Sequence, residues 1–310
     1  MNAPTLEPTV PVVSPFDPDQ AFPYQRWRDQ KLANYPNRVD ELVVELKDPR
    51  SLTNAEHDAI VQRCRNANMA IYASQTREPD KNIPSLLGRR LGLRNLDPNF
   101  LADDDGITTL AVSNLGERPN YIPYTNRPLK WHTDGYYNPP QRRIWAWLLH
   151  CVSSAASGGE NALIDHEMIY LRLRDADLEF VRALMQPDAM TIPARNDEQG
   201  AARREETGAV FCLHPVSGDL HMRYTARTRS IRWKQDPSTQ AAVAFLATVL
   251  ASEPAYRIRL ESGMGIVSNN VVHQRAPFND AGNRQRTLYR ARYHERIGGT
   301  ESAFARLAAG

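Results

Sequence analysis

The chain has 310 residues, 41% of them hydrophobic and 24% charged. That is room for one large domain or two modest ones, with a sizeable core and without the signature of disorder. Lysine and arginine number 38 against 36 acidic residues, a net charge of +2, which gives no ground for a nucleic-acid partner or an acidic tail.

The first two dozen residues carry Pro4, Pro8, Pro11, Pro15, Pro18 and Pro23, a density that favours an extended arm over helix. Residues 1–23 therefore read as a proline-rich arm, a loose tail or a strap, able to reach a neighbouring subunit in a homo-oligomer. Residues 24–310 read as one domain, with order beginning near Tyr24. Thr53 and Asn54 can cap a helix through Ile60, Val61 and Cys64, ended by Asn66 to Asn68 before an apolar strand, Met69 to Ala73. Pro84 suits the first turn of a second short helix.

From Ile107 the texture changes to short β-branched and aromatic runs between Gly, Pro, Asn and Asp, as in antiparallel sheets. Ile107–Ser113, Ile144–Val152, Ala162–Ile164, Val210–His214 and His221–Tyr224 read as strands, the last two joined by a turn at Ser217, Gly218 and Asp219. Helices are expected at about 166–186 and 238–251. Strands follow at Tyr256–Leu260, Gly265–Ser268, Val271–Gln274 and Thr287–His294. The fold class is mainly β with flanking helices. No stretch approaches the roughly 18 to 20 consecutive apolar residues of a membrane helix, and no basic segment leading into an apolar run opens the chain. A cytoplasmic protein without a membrane partner is expected. Cys64, Cys151 and Cys212, odd in number and in no C-x-x-C pair, suggest neither disulfides nor a zinc knuckle. No internal repeat and no glycine-rich phosphate loop is present.

Trp131-His132-Thr133-Asp134 is the sharpest local feature. Residues i and i+2 of an extended segment share a side, so His132 and Asp134 can present a nitrogen and a carboxylate oxygen to one point. Alone, such a triplet is equally a surface turn. A third candidate ligand, His273, stands in the apolar run Asn270-Val271-Val272-His273, and Arg286 and Arg290 follow on the next strand. Two histidines and one carboxylate form the facial triad of non-haem iron(II) oxygenases, which leaves metal positions open for a co-substrate and dioxygen. The plain alternatives are a core histidine at 273 and an exposed basic strand through Arg284, Arg286, Arg290 and Arg292.

Together these elements resemble the taurine dioxygenase and 2,4-dichlorophenoxyacetate dioxygenase (TauD/TfdA) family of Fe(II)- and 2-oxoglutarate-dependent oxygenases, from about Leu110 to His294. Leu149-His150-Cys151 with Gly158-Gly159-Glu160-Asn161 is similar to a family strand and turn, and His214-Pro215-Val216 with Ser217-Gly218 to a family hairpin. The resemblance implies a double-stranded β-helix, a cupin-like jelly roll, with His132, Asp134 and His273 as iron ligands. It implies that Arg286 clamps the far carboxylate of 2-oxoglutarate, with Arg284 the alternative should the loop register differ. Asn161 stands where the family usually has Thr or Ser, and its amide can donate the same hydrogen bond. Arg290 matches a second arginine near the metal, facing the co-substrate's other carboxylate or the substrate.

The implied cofactors are Fe(II) with 2-oxoglutarate and O2 as co-substrates, and the implied products succinate and carbon dioxide. Related iron halogenases carry a small residue where Asp134 stands, so hydroxylation is expected. Arg290, left over after the other charges cancel, points to a small anionic substrate, with the co-substrate or Glu295 as its alternative partners. The same chemistry on a cationic butyrobetaine-like substrate, a non-catalytic cupin-like metal-binding or sensory protein, and a zinc hydrolase are the rival readings. Tyr136 and Tyr137 can line the substrate side or the core. His150, His214, Trp145 and Trp147 read as structural. Arg223, Arg227, Arg229, Arg232 and Lys234 read as a solvated face or site rim rather than a nucleic-acid surface.

Overall fold

The computed structural model describes residues 13–98, 102–114, 116, 118–197, 200–228 and 231–302. Ten strands build its core: β1 (Val43–Leu46), β2 (Met69–Ser74), β3 (Thr108–Leu110), β4 (Leu129–His132), β5 (Ala146–Ser153), β6 (Asn161–Ile164), β7 (Tyr256–Ile258), β8 (Met264–Ser268), β9 (Val272–Arg275) and β10 (Thr287–Tyr293). The larger sheet runs β1-β2-β8-β5-β10-β3 and the smaller β7-β6-β9-β4. Only the β1/β2 pair is parallel in these two sheets. This is a jelly-roll core, as expected.

Period-two alternation in β5 explains the layering. Ala146 and Leu148 face outward, where Ile60, Val61 and Leu87 of helices α2 (Asn54–Ala67) and α3 (Ile83–Arg90) cover them. Trp147, Leu149 and Cys151 face inward against Leu163, Ile266 and Leu288. Gly265 makes the close strand spacing possible, since a Cβ there would meet the Leu149 carbonyl and the Tyr72 ring. On β10, Tyr289, Ala291 and Tyr293 belong to the outer layer and Leu288 to the inner. Alternation thereby puts Arg290 and Arg292 on the interior side of the sheet.

Helix α2 forms as its sequence dictates. Thr53 accepts from the Glu56 amide at 3.2 Å while the Glu56 carboxylate receives the Thr53 amide at 2.7 Å, a reciprocal cap. Asn68 ends the helix in the left-handed region at φ 57°, a conformation that asparagine tolerates better than most residues. On the far side, α1 (Ala21–Asn34), α4 (His166–Ala176), α5 (Leu178–Leu184) and α6 (Pro237–Ser252) surround a second core of Phe16, Trp27, Tyr170 and Phe211.

Three expectations need correction. Order begins before Tyr24: Ser14 and Phe16 are buried, and Phe16 packs edge-on against Trp27 at 4.8 Å and Tyr170 at 5.6 Å. Pro23 does not prevent α1 because the first four amides of a helix have no intrahelical partner to lose. The expected arm over residues 1–12 lies outside the described residues. The helix expected at 166–186 breaks at Asp177, which turns extended and caps α5 through the Glu179 amide. The strand expected at Ile107–Ser113 is paired only over Thr108–Leu110. The 210–224 hairpin forms, with Phe211–Leu213 on Leu220–Met222. Among the described residues the three cysteines are free and no helix is long and apolar enough to cross a membrane.

Candidate metal centre

Strand β9 lies antiparallel to β4 with His273 directly opposite His132, so the ladder itself brings two residues 141 positions apart in sequence face to face. Their ring centroids are 4.2 Å apart. His132 Nδ1 donates to the Lys130 carbonyl at 2.9 Å and His273 Nδ1 to the Val271 carbonyl at 3.0 Å. A carbonyl can only accept, so each neutral ring keeps its lone pair on Nε2. Both Nε2 atoms face Asp134 Oδ1, at 3.6 Å from His132 and 3.9 Å from His273. One donor atom from each of the three residues lies within 4.8 Å of the others.

Asp134 follows β4 in a tight turn that Asn270 holds. The Asp134 amide donates to Asn270 Oδ1 at 2.8 Å, and Asn270 Nδ2 donates to the Asp134 carbonyl at 3.0 Å and the Ile144 carbonyl at 2.7 Å. Asn270 reaches these atoms from a left-handed backbone, φ 56°. Burial alone would raise the Asp134 carboxyl, but Arg290 and then His132 outweigh it and hold the group well below the usual carboxylate range. Burial, with His132 beside it, pushes His273 down to about 3. Asp134 Oδ2 is buried and accepts no hydrogen bond, although Arg290 Nη1 lies 3.4 Å away. Two imidazole Nε2 atoms turned toward an ionised carboxylate with an unused buried oxygen are the donor set that iron(II) takes, so these residues fit the ion. Trp147, expected as packing, also walls the site at 4.7 Å from the His273 ring.

Arg286 and Arg284 separate cleanly. Arg284 is exposed in a turn bridged to Ala281, whereas Arg286 is buried beside Gly159 and over the Phe278 ring at 5.2 Å. Its guanidinium forms no ion pair among the described residues, and burial pulls it down to about 10. Asn161, two residues beyond Gly159, has a buried amide nitrogen without an acceptor. Arg290 faces inward with its Nε–H buried and unbonded. Glu295, one of the alternative partners considered for it, is taken by the Asn95 amide at 2.9 Å.

The basic strand expected as an alternative is therefore mostly interior. Arg292 is buried, pairs with Asp97, and donates to Tyr137 Oη at 3.0 Å. Asp97 also receives Arg142 at 2.6 Å. Sequence reasoning missed Asp97 and named Arg292 only as part of an exposed strand, although the period-two register of Leu288, Arg290 and Arg292 was there to place it on the inner face. Tyr136 meets the His132 ring edge-on at 6.4 Å and Tyr137 at 5.2 Å. Arg223 is not part of a solvated face: it is buried, donating to the carbonyls of Tyr136 at 2.7 Å, Met190 at 3.2 Å and Glu206 at 2.8 Å. Arg232 and Lys234 pair at the surface with Glu205 and Asp188, and Arg227 is exposed. Arg229 lies outside the described residues. His150 is structural as expected, bonded to Tyr72 at 2.9 Å and pushed by burial to about 4.

Residues 77–292 match the family described as taurine catabolism dioxygenase TauD, TfdA family. A uridine-5'-phosphate dioxygenase of Amycolatopsis sp. is 28% identical over 83% of this chain and 98% of its own length. Another, from Streptomyces sp., is 30% identical over 63% of this chain and 72% of its own. Among solved structures, the non-heme iron oxygenase OrfP in complex with Fe and alpha-ketoglutaric acid aligns with a TM-score of 0.57 at 15% identity, over 78% of this chain and 80% of that one. A putative alpha-ketoglutarate-dependent taurine dioxygenase from Burkholderia xenovorans aligns with 0.57 at 15%, over 84% and 88%.

Proposed function

The chain belongs to the TauD/TfdA family of iron(II)- and 2-oxoglutarate-dependent dioxygenases, and on that premise we propose that it hydroxylates a small anionic substrate, a nucleoside 5'-phosphate of the kind its curated relatives are named for. In this reading His132, Asp134 and His273 hold the iron. Arg286 receives the far carboxylate of 2-oxoglutarate and the Asn161 amide donates a second hydrogen bond to it. Bound there, iron(II) with 2-oxoglutarate and dioxygen supplies a two-electron oxidant, at the cost of converting the 2-oxoacid to succinate and carbon dioxide.

The protein's part is to position and to exclude. Asn270 fixes the Asp134 turn, the Nδ1 bonds fix both rings, and Trp147 and Tyr136 wall the centre from water. The observation that carries the substrate class is the surplus of arginine beside the site. The charges of iron(II), Asp134, 2-oxoglutarate and Arg286 cancel, which leaves Arg290, 3.4 Å from Asp134, as the surplus positive charge, and a unit charge 4 Å from it is worth about 4 kcal/mol before desolvation at an effective dielectric of 20. A cationic butyrobetaine-like substrate fits poorly. Two of the nearby tyrosine rings already carry a guanidinium, Arg118 over Tyr124 at 5.2 Å and Arg203 over Tyr137 at 5.4 Å, and a further cation beside them would be repelled.

The test is anaerobic titration with Fe(II) and then 2-oxoglutarate, followed by succinate release with uridine 5'-monophosphate, taurine and butyrobetaine. Release stimulated by the nucleotide alone is the expected result, and equal stimulation by taurine or butyrobetaine sinks the substrate assignment. Arg286→Gln should raise the 2-oxoglutarate concentration that half-saturates the charge-transfer band roughly 10- to 100-fold, the worth of one or two charged hydrogen bonds, with iron affinity unchanged. An unaltered titration would remove Arg286 from the clamp.

A further inference from the structure

Strands Arg195–Asp197 and Gly200–Arg203 form a two-stranded antiparallel ribbon in which Arg195 and Arg203 stand directly opposite each other. Like charges opposed on neighbouring strands destabilise a ladder, whereas an opposite pair would support it. Among the described residues neither arginine has a carboxylate within ion-pair distance. Arg203 gives one N–H to the Pro193 carbonyl at 2.9 Å, and its Nε–H is buried without an acceptor.

Both guanidiniums are nevertheless held in place. Arg195 stacks on the Tyr121 ring at 4.2 Å and Arg203 on the Tyr137 ring at 5.4 Å. Tyr121 stands three residues before Tyr124, whose hydroxyl lies in the field of Arg290 and Arg292. Tyr137 stands three residues after Asp134 and accepts from Arg292. The ribbon is therefore fastened by one cation–π stack to each of two segments, one carrying Tyr124 and the other Asp134.

We infer that Arg195 and Arg203 form the receptor for the substrate's phosphate, an assignment that rests on the phosphorylated-substrate reading above. Two opposed guanidiniums supply forked donors on both sides of an anion. A phosphate monoester dianion offers three terminal oxygens and cancels both charges, whereas a carboxylate or sulfonate cancels one. Filling the gap would convert the repulsive cross-strand pair into a bridged one. Substrate binding and ribbon order are then coupled. Arg195 and Arg203 then add selection for a doubly charged group to the single positive charge of Arg290 beside Asp134.

The experiment is calorimetric titration of the anaerobic protein loaded with iron(II) and 2-oxoglutarate, using uridine 5'-monophosphate and uridine as probes. The wild type should prefer the nucleotide by roughly 100-fold or more, and Arg195→Gln and Arg203→Gln should each reduce that preference about 10-fold, the worth of a charged hydrogen bond. Affinity for uridine and for 2-oxoglutarate should not change, a ratio that a merely structural lesion would not move selectively. Arg203→Lys should restore part of the preference. If the wild type discriminates and both glutamine variants discriminate equally well, this receptor is wrong and the substrate reading stands. If the wild type does not distinguish the two probes, the substrate reading fails and the receptor with it.

Discussion

Asp134→Ala should abolish iron-dependent turnover while leaving the fold intact. The turn does not depend on the carboxylate: Asn270 holds the Asp134 amide and carbonyl from the main-chain side, and alanine retains both groups. The carboxylate is the one anion among the three donors, and without it a dication would face two neutral rings with Arg290 nearby. The lost attraction is at least on the order of 4 kcal/mol at an effective dielectric of 20, which is roughly a thousandfold in metal affinity. Asp134→Asn keeps the shape and loses the charge, so it should fall nearly as far. Iron content after gel filtration and succinate release under saturating 2-oxoglutarate measure the two effects separately. A variant that keeps stoichiometric iron at wild-type affinity would remove Asp134 from the ligand set.

The candidate metal site was legible because such chemistry demands particular residue types at short spacing. His132 and Asp134 are two residues apart, and among the described residues they and His273 are the one group of three His, Cys, Asp or Glu side chains placed to hold an ion. His273 needed the family resemblance, because a single histidine in an apolar strand carries no long-range address, and only the β4/β9 register supplies one. The strands were legible from their β-branched and aromatic runs between turn residues, whereas the jelly roll came only with the family resemblance.

What the sequence concealed were interior charges. Arg223, Arg292 and Lys31 are buried, and the side-chain type of each argues for the surface. Their acceptors are remote in sequence: Arg292 finds Asp97 and Arg223 finds the carbonyls of Tyr136, Met190 and Glu206. A buried cation is stable only when it is paired or fully hydrogen-bonded, and composition does not show that pairing. The opposed Arg195 and Arg203 are the reverse case, a pair that the ladder brings together with no ion-pair partner among the described residues.

Lys31→Met should be the most damaging substitution remote from the site. Lys31 Nζ lies 2.6 Å from Asp165 Oδ2 and 2.6 Å from Glu167 Oε2, with all three side chains under 10% exposed. Asp165 also caps α4 through the Glu167 amide and receives Asn68, so this knot ties α1 to the jelly roll at the point where β6 ends. Removing one partner of a buried ion pair typically costs about 3 to 5 kcal/mol. Arg296, 3.6 Å from Glu167, compensates part of the remaining charge, so the lower end is expected, measured by urea denaturation at pH 7. Burial would raise the Glu167 carboxyl, but Lys31 and then Arg296 overcome it and hold the group low. Burial would lower the Lys31 ammonium, but Asp165 and Glu167 raise it above its ordinary 10.5. A depressed carboxylate stabilises above its unfolded value of 4.5 and ceases to as pH falls through its folded one. A raised ammonium stabilises below 10.5 and ceases to as pH climbs through its folded value. The gap between wild type and Lys31→Met should therefore be widest between about pH 5 and 10 and narrow on acidification. Adding Asp165→Asn and Glu167→Gln to Lys31→Met should recover much of the loss, because asparagine still caps α4, neither carboxylate is left bare inside, and Arg296 keeps Asp219 at 4.0 Å. A gap that stays constant down to pH 3, or a triple variant weaker than the single, would show that Lys31 acts by packing rather than by charge.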